Sequence, residues 1–388
     1  MSIVEDKLFC AAPWNHFFVQ QDGDVRVCCM VGGQGEVLGN INEQTWQEIW
    51  EGEKYQDLRR RFLEKDPETL KQCQHCLDYD KFGAGSCRHQ FNGFVKNTEH
   101  GVDFLTRFPR IQSLDLRTSR TCGLACLICG PWNSTRWESE LNAKNRCNVT
   151  EQGMENVKQL IEDQKRNIIH VNIVGGEPFM MEEAFYLINK LQPYKKRIKI
   201  LINTNCQTLK YKGQDVLPLL EGFEYIQIDA SLDAIGKAAE YQRYGGKWEV
   251  IQANFEKLLE SPFKIWVHPT ISIFNILRIV DLLKYLETLD TSKFEICGGN
   301  ILFEPKEYDI RYLPREIKQM IEDTLLEQQK GLKLESNKKL VDGWIETMKS
   351  VESGNLFDST IKKIEENDMR RNNSFLEVNP EFKPYWKK

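Results

Sequence analysis

Three cysteines stand close together in the sequence, at Cys122, Cys126 and Cys129. Three thiolates on so short a loop can ligate three irons of a 4Fe-4S cluster and leave the fourth iron without a protein ligand. Such an open iron lets a small molecule chelate the cluster and accept an electron from it, much as an open metal position marks a catalytic site. A zinc-binding loop is the alternative that the same thiols allow.

The spacing Cys-x3-Cys-x2-Cys, with the hydrophobic Ile128 before the last cysteine, resembles the signature of the radical S-adenosylmethionine (SAM) superfamily. The resemblance implies that the loop holds a 4Fe-4S cluster and that SAM chelates the open iron through its amino and carboxylate groups. It also implies that reduction breaks the C5'-S bond of SAM, giving a 5'-deoxyadenosyl radical that abstracts a hydrogen atom from the substrate. A flavodoxin- or ferredoxin-type protein is the electron donor that this chemistry implies.

A second motif follows the second expected strand. Glycines there let the backbone approach a ligand closely, and a glutamate can accept a hydrogen bond from an amine. The motif resembles the segment that binds the SAM amino group in the superfamily, whereas an ordinary Gly-Gly turn is the alternative. Its residues are Gly175, Gly176, Glu177 and Pro178.

Polar residues near later strand ends resemble further SAM contacts. Ser231 and Asp233 are short polar groups that suit the ribose hydroxyls, although alone they would indicate a helix cap. Arg243 resembles the arginine that related enzymes direct at the SAM carboxylate, for which a planar fork of donors is suited, and a surface arginine is the alternative. Asn205 is expected in the same pocket. Ile273 is expected to pack against adenine, although aliphatic strand residues usually belong to the core.

A second group of cysteines lies near the N-terminus. Cys10, Cys28 and the pair Cys73-x2-Cys76 resemble the twitch version of the SPASM domain, which holds one auxiliary 4Fe-4S cluster by four cysteines. In familiar members this module follows the barrel, whereas here it precedes it.

Two neighbouring thiols leave the ligand set open. Cys29 is an alternative to Cys28, and Cys87 is a ligand, a functional thiol or a bystander. A four-cysteine zinc site also satisfies the pattern, because Cys-x2-Cys with two remote cysteines suits tetrahedral zinc.

Short β-like runs alternate with helical stretches from about residue 108 onward. Such alternation favours a parallel sheet with helices outside. The sequence therefore predicts an α/β fold, a partial (β/α)6 TIM-type barrel whose chemistry lies at the C-terminal strand ends. The expected strands are IQSLDLR, IIHVNIVGG, RIKILINTN, YIQIDASL, IWVHPTISI and ILFEP, and the expected helices cover 152–163, 181–191, 248–260, 276–289 and 315–328.

The pattern divides the chain into a cysteine-rich iron-sulfur module at 1–95, a barrel at 108–305 and a helical C-terminal extension at 306–388 that turns irregular towards its end. In the module, Asp22-Gly23 separates two apolar runs as in a β-hairpin. Residues 42–65 show the apolar spacing of one amphipathic helix, with Trp46, Ile49, Trp50 and Leu58 on one face.

Composition excludes several classes of protein. The 388 residues carry a net charge of -5 with scattered cations, so nucleic acid is not an expected partner, and RNA modification is disfavoured. No apolar run approaches the roughly 20 residues of a membrane span, and the N-terminus lacks an export signal, so we expect no membrane association and a cytoplasmic location.

An auxiliary cluster can accept the electron left on a substrate radical or can ligate the substrate. Related enzymes often modify peptides by oxidation, crosslinking or epimerisation, so a peptide or protein substrate is expected, with a sugar-like or aminocyclitol molecule as the alternative. Cys206 or Cys297 could donate a hydrogen atom in an epimerisation, although free cysteines are usually small buried hydrophobes. A non-catalytic metal-binding scaffold is the alternative from another class.

Overall fold

The computed structural model describes residues 8–81, 86–96, 101–143, 148–352, 354 and 356–386. These residues fold into two units that interleave along the chain. The first unit takes its residues from Met1–Thr121, Leu141–Ile202 and Val216–Ile226, and the second from Cys122–Glu140, Asn203–Asp215 and Gln227–Lys388.

The sheet of the first unit has the strand order β6-β5-β4-β1-β2-β3. Strands β4, β5 and β6 run parallel, and β1 also pairs with β4 in parallel, with Phe17 opposite Leu114. The N-terminal segment therefore extends the same sheet as the strand that precedes the Cys122 loop. The strands are β1 (His16–Val19), β2 (Asp24–Arg26), β3 (Gly39–Asn40), β4 (Ser113–Leu116), β5 (His170–Ile173) and β6 (Lys199–Thr204), of which the last two residues belong to the second unit.

The hairpin expected at Asp22-Gly23 is confirmed, because β1 and β2 pair antiparallel around it. Gly23 has φ +87°, a conformation that favours glycine. The single helix expected over residues 42–65 is wrong: it is two helices, separated at Gly52, whose backbone is extended (φ -68°, ψ 163°). The apolar face of both helices is nevertheless buried at the expected positions.

Seven helices belong to the N-terminal part of the first unit as the structure describes it. A buried aromatic cluster joins them to β1: Trp50 and Tyr55 pack beside Phe17, and the guanidinium of Arg59 lies 4.4 Å from the Trp50 ring. They are α1 (Ala12–Asn15), α2 (Trp46–Trp50), α3 (Glu53–Leu63), α4 (Pro67–Lys71), α5 (Gln74–Lys81), α6 (Cys87–Lys96) and α7 (Gly101–Arg107).

Helices in the middle of the chain follow the parallel strands. Helix α9 begins at a Thr150 cap whose hydroxyl accepts from the Gly153 N–H, and its apolar positions are buried. The helices are α8 (Thr135–Leu141) after the Cys122 loop, α9 (Glu151–Gln164), α10 (Glu182–Leu191) and α11 (Leu217–Leu220).

The second unit contains three parallel strands in the order β9-β10-β11, besides a small hairpin of β7 and β8. The sixth barrel strand expected at ILFEP is wrong: among the described residues, the third strand of this unit lies earlier, and Ile301 makes only an isolated bridge to Ile271. The strands are β7 (Lys210–Tyr211), β8 (Gln214–Asp215), β9 (Tyr225–Ala230), β10 (Lys264–Val267) and β11 (Phe294–Ile296).

The remaining helices pack around these strands and form most of the C-terminal region. Phe375 and Phe382 are fully buried there, and Phe375–Val378 and Pro380–Tyr385 are helical, so this described segment is packed and not irregular, contrary to expectation. The helices are α12 (Gly236–Gln242), α13 (Trp248–Leu259), α14 (Ile279–Leu286), α15 (Arg315–Gln329), α16 (Glu335–Lys349), α17 (Phe357–Arg371) and α18 (Phe375–Val378).

The α/β class and the helical C-terminal region are thus confirmed. The five helices expected between residues 152 and 328 correspond to α9, α10, α13, α14 and α15. Throughout the part of the chain that the structure describes, no helix combines the length and apolarity required to span a membrane.

Candidate functional site

The Cys122 loop is held in place by backbone hydrogen bonds within the second unit. The Ala125 N–H donates to the Tyr244 carbonyl (2.9 Å), and the Leu127 N–H donates to the Gln242 carbonyl (2.8 Å). From α8, the indole Nε1 of Trp137 donates to the carbonyl of Cys126 (2.8 Å). The loop is therefore fixed from both sides, so its thiols have defined positions.

Two polar side chains approach the sulfur atoms of this loop. Asn205 Nδ2 lies 3.6 Å from Cys122 Sγ, and Arg243 Nη1 lies 3.9 Å from Cys126 Sγ. Burial raises the pKa of Cys126 and raises that of Cys129 to about 12. Charged thiolates at these positions therefore need a positive partner, and a metal centre together with Arg243 would supply one.

Arg243 and Asp233 form a buried ion pair. Arg243 Nη2 lies 2.6 Å from Asp233 Oδ2, with side-chain exposures of 10% and 0%. The second oxygen of Asp233 accepts from the Thr270 N–H (2.8 Å). The structure thus brings together two residues that the sequence suggested for different parts of SAM, the carboxylate and the ribose, and places them beside the Cys126 sulfur.

For Ser231 and Ile273, which the sequence suggested as further SAM contacts, the structure gives backbone hydrogen bonds. The Ser231 N–H donates to the Thr204 carbonyl (2.8 Å), and the Ile273 N–H donates to the Tyr308 carbonyl (3.1 Å). Ile273 is fully buried, whereas Ile128 is half-buried.

The Gly175–Pro178 segment lies in the first unit, where it follows β5. The Gly176 N–H donates to the Ser119 carbonyl (3.1 Å), and the Glu177 N–H donates to the Thr121 carbonyl (2.7 Å). A Cβ at Gly176 would lie 2.3 Å from the Thr121 carbonyl oxygen, which only glycine avoids. The Glu177 carboxylate is fully buried and accepts from the Phe179 N–H (3.2 Å).

Of the two isolated barrel cysteines, Cys206 is fully buried, and its carbonyl accepts from Asn254 Nδ2 (2.9 Å). Cys297 is half-buried and lies just after β11. His268 lies beside Cys297 at the end of the neighbouring strand β10. The sequence did not indicate His268, because a lone histidine belongs to no local motif.

Five cysteines line one pocket of the N-terminal module, which is part of the first unit. Cys29 is not among the residues that line it, and the Cys87 thiol and burial raise the pKa of Cys29. Burial raises the pKa of Cys10, Cys28, Cys73 and Cys76, for Cys73 to about 12. The pocket walls are otherwise mostly apolar, with Arg88 the charged side chain among them; its cysteines are Cys10, Cys28, Cys73, Cys76 and Cys87.

Thiols in an apolar enclosure are the donors that iron-sulfur clusters use, so the residues of both cysteine groups fit such clusters. Within the described ranges, no three His, Cys, Asp or Glu side chains converge closely enough to hold a single metal ion.

Two family profiles match the chain. SPASM, an iron-sulfur cluster-binding domain, matches residues 10–77, and the radical SAM superfamily matches residues 116–283. The first match includes Cys10, Cys28, Cys73 and Cys76 but not Cys87, and the second includes the cysteines of the Cys122 loop. No curated protein matches the sequence.

Several solved structures are similar to the chain. Streptococcus suis SuiB bound to S-adenosylmethionine is 20% identical, with 56% of this chain and 45% of that chain covered and a TM-score of 0.36. SuiB bound to the precursor peptide SuiA is 15% identical, with 67% and 61% covered and a TM-score of 0.39. Native anSMEcpe with bound AdoMet is 15% identical, with 65% of this chain and 66% of that chain covered and a TM-score of 0.39. The chain thus spans about half to two thirds of the length of these proteins.

Proposed function

The chain belongs to the radical SAM superfamily and carries a SPASM domain, and from this premise we propose that it abstracts a hydrogen atom from a residue of a peptide or protein. It is an enzyme that uses SAM, a SAM-binding 4Fe-4S cluster and auxiliary iron-sulfur chemistry. When bound, the cluster and SAM supply a carbon-centred radical that can break a substrate C–H bond.

The observation that carries the proposal is the pair of donors at the Cys122 loop. Cys122, Cys126 and Cys129 would hold the cluster, since three thiols leave one iron for SAM. Asn205 directs its amide N–H at one of these sulfurs, and Arg243 directs its cation at another. Donors at cluster sulfurs stabilise the extra negative charge of a reduced cluster, because the positive ends of their N–H bonds face it.

Arg243 has a second role in this proposal. Its ion pair with Asp233 fixes the guanidinium at the loop, so that its remaining N–H groups are oriented towards an anionic ligand such as the SAM carboxylate. Ser231 and Asp233 stay proposed partners of the ribose hydroxyls, and Ile273 a proposed neighbour of adenine. The Gly175–Pro178 segment stays the proposed partner of the SAM amino group.

The auxiliary site would use the pocket of the N-terminal module. Cys10, Cys28, Cys73 and Cys76 are the proposed ligands, and Cys87 is a fifth thiol that lines the same pocket. A cluster there would accept the electron that remains on the substrate after hydrogen abstraction, or would ligate the substrate. A flavodoxin- or ferredoxin-type protein is the proposed electron donor for the enzyme.

A peptidyl substrate is supported by the placement of the module. Strand β1 pairs with β4, the strand that runs into the Cys122 loop, so the module adds surface directly beside that strand. An extended substrate could contact both, whereas a small sugar-like molecule would have no need of the added surface.

The test is the formation of 5'-deoxyadenosine from SAM by anaerobically reconstituted protein under a strong reductant. We expect the wild-type protein to form it and Cys126→Ala to lose this activity and about four irons per chain. Ser139→Ala, an exposed position on α8, is the matched control and should retain both.

Zinc in place of iron, or no cleavage of SAM by well-reconstituted wild-type protein, would support the metal-binding scaffold instead. For a protein that cleaves SAM, incubation with peptide and aminocyclitol candidates in deuterated buffer would separate the substrate classes. Only the true class yields a product that differs from the starting compound in mass or, after epimerisation, in deuterium content.

A further inference from the structure

Three side chains with acid–base chemistry lie at neighbouring strand ends in the second unit. Val267 is in register with Ala230 on β9 and with Ile296 on β11. His268 and Cys297 directly follow β10 and β11. The Cys297 N–H donates to the Val267 carbonyl and the His268 N–H to the Ala230 carbonyl (both 2.9 Å), so the hydrogen-bond ladder continues to them. Asp229 is in register with Trp266, two residues before His268, and therefore shares its face of the sheet.

This face is distinct from the one that packs into the core. Ile228, Ala230, Ile265 and Val267 point to the opposite face and are all fully buried. The side chain of His268 is 22% exposed, and Cys297 is half-buried. The imidazole and the thiol are thus partly accessible, as a group that meets a substrate must be.

Contacts hold the His268 ring in place. Its Nε2 lies 3.5 Å from Asp229 Oδ1, and its Nδ1 lies 3.4 Å from Asn300 Nδ2. Gln227 Nε2 donates to the same Asp229 oxygen (2.7 Å) and so fixes the carboxylate in turn. A histidine oriented by a carboxylate is the usual arrangement of a group that moves protons.

The thiol differs from those of the Cys122 loop. His268, which lies beside Cys297 at the end of the neighbouring strand, lowers the pKa of that thiol in spite of burial, whereas burial raises the pKa of Cys126 and Cys129. Burial also lowers the pKa of His268, but Cys297 and Asp229 outweigh this and raise it. The lowered pKa of Cys297 and the raised pKa of His268 both favour a thiolate next to an imidazolium.

Asp229 and His268 are close in sequence to residues of the proposed site. Thr270, whose N–H donates to Asp233, is two residues beyond His268 in the segment that follows β10. Asp233 pairs with Arg243, which approaches the Cys126 sulfur.

We propose that Cys297 and His268, oriented by Asp229, form an acid–base pair that accepts the proton which a hydroxyl or thiol group of the substrate loses next to the oxidised carbon. In this step the O–H or S–H bond of the substrate breaks, an S–H bond forms at Cys297 Sγ, and the electron pair stays on the substrate heteroatom. The role as substrate base rests on the proposed function, whereas the existence of the ion pair does not.

One further ion pair lies on the same two strands. Glu295 is two residues before Cys297 on β11 and is paired with Lys264 of β10. Helix α16 packs against the following loop, where Trp344 Nε1 donates to the Gly298 carbonyl (2.7 Å). Glu295→Gln is therefore a matched control, because it removes a nearby charge on the same strand without touching His268.

The first experiment measures how fast iodoacetamide alkylates Cys297 in the reconstituted holoenzyme between pH 5 and 10, with the modified peptide quantified by mass spectrometry. For the wild type we expect a midpoint below the ordinary cysteine value of about 8.5. In His268→Asn the midpoint should rise, and the rate at pH 7 should fall about tenfold for each pH unit of that rise. Glu295→Gln should keep the wild-type midpoint, and continued protection of Cys206 will show that the variants are folded.

The proposed ion pair would be refuted if the pH midpoint of Cys297 alkylation in the wild type were at or above the ordinary cysteine pKa of about 8.5. It would also be refuted if the midpoint were unchanged in His268→Asn. This arm needs no SAM cleavage, so its failure is separate from a failure of the proposed function. With a peptide that the wild type converts, the ratio of product to 5'-deoxyadenosine should fall as the pH falls through the same midpoint, and should fall in Cys297→Ser. A ratio that neither pH nor this substitution changes would overturn the role as substrate base.

Discussion

The ion pair between Arg243 and Asp233 gives the sharpest stability prediction. Both side chains are almost fully buried, 2.6 Å apart, and the guanidinium also faces the Cys126 sulfur. Removing one partner of a buried pair leaves an uncompensated charge, which typically costs about 3–5 kcal/mol. We therefore expect Arg243→Met to lower the free energy of unfolding by an amount in that range.

Asp233→Asn should cost a similar amount, because it leaves the buried guanidinium of Arg243 without a counter-charge. The asparagine oxygen can still accept from the Thr270 N–H, as Asp233 does at 2.8 Å, so the loss reports on the charge. In the double variant both charges are absent. Its loss in the free energy of unfolding should therefore be smaller than the sum of the two single losses, by about 1–3 kcal/mol.

The assay is urea denaturation of the cluster-free protein under anaerobic conditions, followed by tryptophan fluorescence for the wild type, the two single variants and the double variant. Equal slopes of the transitions would justify comparing the midpoints. Additive losses, with a coupling energy below about 0.5 kcal/mol, would refute the reasoning because the charges would then not depend on one another.

Three further outcomes follow from other parts of the structure. Burial lowers the pKa of His16 to about 4 and that of His170 to about 3, so the unfolded chain binds protons first as the pH falls below about 6.5. The free energy of unfolding should therefore drop between pH 6.5 and 4, by roughly 3 kcal/mol for His16. A urea midpoint that stays constant over this range would contradict the prediction. Gly176→Ala would place a Cβ against the Thr121 carbonyl, so we expect a loss of about 1–3 kcal/mol in stability and weaker SAM binding in equilibrium dialysis. Cys10→Ser should lower the iron content from about eight to about four per chain, and full retention would exclude Cys10 as a ligand.

Local patterns account for what the sequence reading predicted correctly. Alternating apolar runs and helical periodicity lie within short windows, so β4, β5, β6, β9 and β10 could be found. The sixth strand was missed because Phe294–Ile296 is only three residues long and contains Glu295. The apolar run at 301–303 resembles a strand but forms only a bridge at Ile301.

The break at Gly52 had the same kind of cause. The apolar positions on both sides keep helical spacing, and a single glycine inside such a pattern does not by itself end a helix. The parallel pairing of β1 with β4 could not be predicted from the sequence either, because it joins segments about 100 residues apart. Only the tertiary fold sets the register of such a pair.

Only part of the candidate site could be predicted from the sequence. The spacing of Cys122, Cys126 and Cys129 is a local signal and needs no knowledge of the fold. The approach of Arg243 to Asp233, and of His268 to Cys297, depends on which strands are neighbours and on their register. No spacing in the sequence indicates these pairs.

The most direct test of the central assignment is electron paramagnetic resonance of the reduced, anaerobically reconstituted Cys10→Ser variant, with and without SAM. We predict that this variant retains a 4Fe-4S signal from the Cys122 loop and that added SAM changes its g values, because SAM binds the iron that lacks a protein ligand. A retained signal that SAM does not alter, or the absence of any cluster signal, would contradict the assignment.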